Sequence, residues 1–95
     1  MGGASDPVTL NALRRLADEA RQAAARVPLG VADHDFYAGV ASAAEHHLHA
    51  GRLAVDDPAW LERQPVAFRD GYLEAMSIIA AAARSSLVHL PLPTR

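Results

Sequence analysis

The chain has 95 residues, 51% of them hydrophobic, with nine basic and eleven acidic side chains and no cysteine. That composition describes one globular domain without disulfides, thiolate metal ligands or thiol nucleophiles, and a net charge of −2 lacks the basic face that a nucleic-acid binder needs. Alanine supplies 21 of the 48 apolar residues, so helix propensity is high while little area is available for burial, and a core this thin is often completed by a second chain.

Residues 1–5 read as a disordered tail. Asp6-Pro7 then marks a helix start: the aspartate caps free N–H groups, and the proline is pre-set for the first helical position. The first helix is predicted from Pro7 to Arg26, with an apolar stripe of Leu10, Leu13, Leu16, Ala17, Ala20, Ala24 and Val27 near the 3.6 period. Arg14–Asp18 and Arg15–Glu19 are four apart and are able to pair on its solvent side. Pro28-Leu29-Gly30 breaks the chain. Asp33 is read as the cap of a second helix, from His34 to Ala50, stopped by Gly51. Its apolar side carries Phe36, Val40, Ala43, Ala44 and Leu48, with His47. Asp57-Pro58 opens a short third helix through Trp60 and Leu61. Pro65 starts a fourth, from Val66 to Arg84, because the residue before a proline is pushed from helical angles. Phe68, Tyr72, Ala75, Met76, Ile79 and Ala83 form its stripe, and Ile78 with Ala82 widens it, which predicts burial on several sides. Residues 87–95, with Pro91 and Pro93, read as an extended apolar tail that packs along something. No strand pattern, repeat or low-complexity tract is evident. The expected fold is all-α, a small bundle of three to four helices in a single domain over residues 1–95, with an extended C-terminal tail.

The chemistry-bearing residues are few. Glu45-His46-His47-Leu48-His49 is the densest polar cluster. Glu45 and His49 share a helix face, as do His46 and His49, but a closed zinc site takes four ligands and a catalytic one three plus water. The cluster is therefore read as surface or interface histidines, and no metal ligand is assigned. Asp57 is explained as a helix cap, and no serine stands in a nucleophile elbow. No phosphate-binding glycine loop occurs. The longest apolar run, Ile78 to Ala83, is far short of a membrane span; with no signal peptide, a cytoplasmic location is the default expectation. All five aromatics, Phe36, Tyr37, Trp60, Phe68 and Tyr72, lie in the middle of the chain. The core and any partner-binding hot spot are expected there.

The order of features from Phe36 to Val88 resembles the helical N-terminal region of the nitrile hydratase beta subunit and the related thiocyanate hydrolase and accessory proteins. A helix led by Phe36-Tyr37 runs to Gly51-Arg52-Leu53, and Val55-Asp56-Asp57 begins the next. Glu62-Arg63-Gln64-Pro65, Phe68, Gly71-Tyr72-Leu73-Glu74 and an apolar helix from Ile78 to Leu87 follow. The resemblance implies a non-metal subunit of a hydro-lyase complex that converts nitriles to amides. In that family cobalt or iron is held by cysteines of the alpha subunit, so this chain would carry no cofactor of its own. The implied partners are that alpha subunit and a separate barrel-type beta fragment, in a hetero-oligomer. Tyr72 and Phe68 would line the substrate pocket. Phe36, Tyr37 and Trp60 would meet the partner, with Arg52 or Arg63 in place of the arginine that the family puts early in its third helix. The alternative reading is a small helical interaction protein that dimerises or caps a partner, with no catalytic role.

Overall fold

In a computed structural model of the chain, residues 7–50, 58–85 and 90–93 are described. Four helices account for most of them: α1 (Pro7–Ala25), α2 (Ala32–Ala50), α3 (Pro58–Glu62) and α4 (Val66–Ser85). The all-α expectation holds. The expectations for residues 1–5, Gly51, Asp57, 87–89 and 94–95 concern positions outside the described residues.

The helix ends follow from local chemistry. α1 closes with two tight bonds, Arg26 N to Ala23 O at 3.2 Å and Val27 N to Ala24 O at 3.1 Å. The His34 ring then donates from Nδ1 to the carbonyls of Ala24 (2.9 Å) and Val27 (3.2 Å). Carbonyls at a helix C-terminus lack intrahelical donors, and His34 supplies one from the next element. Gly30 turns the chain with φ at 91°, a left-handed angle that a side chain would strain. α2 starts two residues earlier than the sequence implied. Asp33 is therefore inside its first turn with Asp35, where both face the positive end of the helix dipole, and is not its N-cap. Pro65 separates α3 from α4, and its carbonyl accepts from Arg69 N at 3.0 Å as α4 begins.

α2 is the middle element and packs against both α1 and α4. Arg21 meets Glu45 and Ala24 meets His34, so α1 and α2 run antiparallel. Ten of the eighteen buried apolar side chains among the described residues are alanine. Helices with such small residues at the seam approach closely, and the closest approach is at two glycines. A methyl built on Gly39 of α2 would sink into the carbonyl of Phe68 on α4; one built on Gly71 of α4 would sink into the carbonyl of Phe36 on α2. The contact is reciprocal because Phe36-x-x-Gly39 recurs as Phe68-x-x-Gly71, 32 residues on. The match is two residues in four and not a sequence repeat, but it forms the crossing.

The tail packs on the chain's own core. Leu90 is 4% exposed and Pro93 is buried, with Leu92 against the same cluster. The expected stripe of α4 is buried at Tyr72, Ala75, Ile79 and Ala82 and half-buried at Phe68, Met76 and Ile78, while the outer side carries Val66, 63% exposed, and Leu73, 53% exposed. No helix among the described residues is long and apolar enough to cross a membrane.

Candidate functional site: an aromatic edge at the helix crossing

The glycine crossing sets the position of Tyr72. Gly71 draws α4 against the Phe36 backbone, and the next side chain, Tyr72, is carried under α2 to 2% exposure. Its hydroxyl lies 2.7 Å from His46 Nδ1. A phenol donates to a neutral imidazole nitrogen, and a protonated imidazole donates to the phenol oxygen, so the pair stays bonded in either state. His46 itself is at the surface.

Two further rings gather around this pair. Trp60 lies with its ring centroid 5.6 Å from His46, 5.9 Å from Tyr72 and 6.0 Å from Phe68. Phe68 stacks on Tyr72 at 6.3 Å with 23° between the planes. These separations are those of favourable aromatic pairs. α3 is short, and the Gln64 amide donates to the Trp60 carbonyl at 3.1 Å, holding the turn that aims the indole. Trp60 and Phe68 are both half-buried. The result is an apolar edge with one polar atom group, His46, at its rim.

The sequence-derived candidates divide on this frame. Tyr72, Phe68 and Trp60 are brought together. Phe36 is 5% exposed, in the crossing, so its role is to pack the two helices; Tyr37 stands edge-on to it at 5.4 Å and is half-buried. Arg63 is exposed just past α3, and Arg52 lies outside the described residues. Sequence reasoning did not find His46 as the partner of Tyr72. The signal was available only in space, since the two are 26 residues apart.

Several of the other charged side chains are engaged elsewhere, while His47 Nδ1 and Arg69 Nε are buried without a hydrogen-bond partner. Arg21 grips the Glu45 carboxylate with two nitrogens, Nε to Oε2 at 2.9 Å being one of the bonds. That hydrogen bond is the main reason the Glu45 carboxyl is held below the usual carboxylate range; desolvation opposes it, and Arg21, His49 and His46 add attraction. Arg14 reaches back to Asn11 at 3.5 Å. His49 Nδ1 donates to the Glu45 carbonyl at 2.8 Å. An open groove of about 320 Å³ lies beside this pair, lined by Arg14, Ala17, Asp18, Arg21, Glu45, Leu48 and His49. Among the described residues, no three His, Cys, Asp or Glu side chains gather as metal donors would. No protein-family model, curated protein or solved structure matches the chain.

Proposed function

We propose that the chain is a helical subunit that acts by docking its aromatic edge on a larger partner, and that the partner is the metal-bearing alpha subunit of a nitrile hydratase-type hydro-lyase. The observation that carries the docking reading is the half-buried pair Trp60 and Phe68, seated on a rigid, buried Tyr72 and rimmed by His46. Large aromatics held in place lose little freedom on binding, which is why such residues dominate interface energetics. The identity of the partner rests on the resemblance from Phe36 to Val88. In that arrangement this chain would hold no metal; the alpha subunit's cobalt or iron would supply the Lewis acidity for hydration, and the aromatic edge would form an apolar wall of the pocket.

Co-expression with an alpha subunit carrying a Cys-x-x-Cys-Ser-Cys motif tests the reading. The expected result is co-elution, lost by at least ~tenfold in affinity in Trp60→Ala and little changed in Arg14→Ala. If the chain elutes alone and folded beside such a subunit, the hydro-lyase assignment fails. Burial of the Tyr72 hydroxyl against His46 favours a second reading, an interaction protein with no catalytic pocket. Tyr72→Phe separates the two: it lowers turnover of an assembled hydro-lyase, and leaves binding by a purely structural cap intact.

A further inference from the structure

The geometry points to residues 90–93 as a ligand that the chain holds in cis. The seat they fill is a binding site for an extended apolar segment of a partner, with leucine and proline three residues apart, which takes their place. The inference is independent of the aromatic edge.

The burial pattern of this segment is that of a polyproline II helix. Leu90 is 4% exposed and Pro93 is buried, Leu92 is half-buried against the core, and Pro91 is exposed. A polyproline II helix turns once in three residues, so positions i and i+3 share an edge while i+1 points away. Leu90 and Pro93 form that edge, and Pro91 holds the outward position. The two prolines fix φ near the value this helix needs, and neither has an N–H to give a strand. Segments of this kind are recognised through the side chains of one edge, and they lose little freedom on binding because their conformation is set beforehand.

The seat is built by helices that hold together without the segment. Leu90 is the one residue of the buried cluster that lies outside the helices, among the described residues. α1 and α4 each pack on α2, and α1 scarcely touches α4. Two helices that lean on a third without meeting leave the cluster open between them, and Leu90 is buried into it. Five residues span at most about 17 Å, so Leu90 enters within that reach of Ser85, at the end of α4 that holds Ile79 and Ala82. The helices are fastened by other contacts: the glycine crossing joins α2 to α4, and the Arg21–Glu45 pair and the His34 ring join α1 to α2. By contrast, among the described residues no backbone hydrogen bond outside the helices reaches 90–93. A segment attached by side-chain burial alone belongs to the low-stability end of a structure and opens without global unfolding. What it vacates is an apolar seat already shaped for its own kind.

Fluorescence anisotropy with a labelled peptide of residues 88–95 tests this on the full chain. The cis segment has to leave before the peptide enters, so the parent binds the peptide weakly. Leu90→Asp expels the cis segment, and that chain is expected to bind the peptide at least ~tenfold more tightly than the parent. Pro91→Ala, at an outward position, loosens the cis helix without removing a buried contact, and its affinity is expected to fall between the two. The peptide that itself carries Leu90→Asp is expected to bind none of the three chains. Circular dichroism checks that each chain is folded; if Leu90→Asp is not, Pro91→Ala against the parent decides. A folded Pro91→Ala chain that takes up the peptide no better than the parent overturns the inference, as does a peptide whose leucine is dispensable. Sedimentation of the parent as a dimer that Leu90→Asp abolishes would seat a second copy's segment there instead of a partner's, and overturns it too.

Discussion

Replacing Gly39 with alanine should destabilise the protein, although alanine is the better helix former. The gain in helix propensity is about 1 kcal/mol. Against it stands the crossing. The new methyl would lie 3.0 Å from the Phe68 carbonyl carbon and 3.0 Å from the Tyr72 nitrogen, and closer still to the Phe68 oxygen. All three are backbone atoms inside a helix, so none rotates away. The helices must part by roughly 1 Å, which strains a close-packed seam and forfeits part of its dispersion energy. Overpacking of this kind costs about 1–3 kcal/mol, and a clash with backbone belongs at the upper end. The net expectation is a loss of about 2 kcal/mol, or a fall in melting temperature of roughly 8–16 °C for a domain of this size. Gly71→Ala should behave alike, its methyl meeting the Phe36 carbonyl carbon at 2.9 Å. The two should not add. A separation that admits one methyl largely admits the other, so the double variant should lose at least ~1 kcal/mol less than the sum. Urea unfolding followed by circular dichroism reads all three. If either single variant is as stable as the parent, or if the pair is additive, the reciprocal crossing is not the constraint described.

Three further outcomes are expected. His34→Ala removes the donor to the Ala24 and Val27 carbonyls and should cost about 1 kcal/mol in urea unfolding, a loss that glutamine, with its own N–H donor, partly recovers. Tyr72→Phe breaks the bond to His46, whose surface position lets water replace it, so about 1 kcal/mol is lost; Tyr72→Ala leaves a cavity and should cost about 3–5 kcal/mol. The Glu45 carboxyl titrates below its unfolded value, so the Arg21 pair contributes stability above the unfolded pKa and loses it as the pH falls through the lower, folded one. With side chains 54% and 36% exposed the pair is worth about 0.5 kcal/mol. Glu45→Gln should be the less stable chain at pH 7 and the gap should vanish at strongly acidic pH; a gap that persists there would place the effect in packing.

The helices were legible because their punctuation is chemical. Asp6-Pro7, Pro28-Leu29-Gly30, Asp57-Pro58 and Pro65 each forbid or favour a particular backbone state locally, and the observed α1, α3 and α4 begin where those residues imply. The start of α2 was misplaced by two residues because Asp33 suits a cap and a first turn almost equally well. The crossing was not legible from apolar periodicity. A helical glycine contributes no side chain to a stripe, so Gly39 and Gly71 register as weak points until the carbonyls of Phe68 and Phe36 are seen against them. The recurrence of Phe-x-x-Gly was the available signal, too short to stand out alone. The aromatic edge was half legible: clustering in sequence brought Trp60, Phe68 and Tyr72 into view, while the bond to His46 depends on how far α4 slides under α2.

The alanine-filled core also has a calorimetric consequence. The heat-capacity change of unfolding scales with the apolar surface that becomes wet, typically about 12–15 cal/mol/K per residue. Ten of eighteen buried apolar side chains among the described residues offer a single methyl, so the value for this protein should fall below that range. Its stability curve is then flatter than that of a leucine-packed bundle of equal length. It has less to gain at its temperature of maximum stability, and it declines more slowly on cooling.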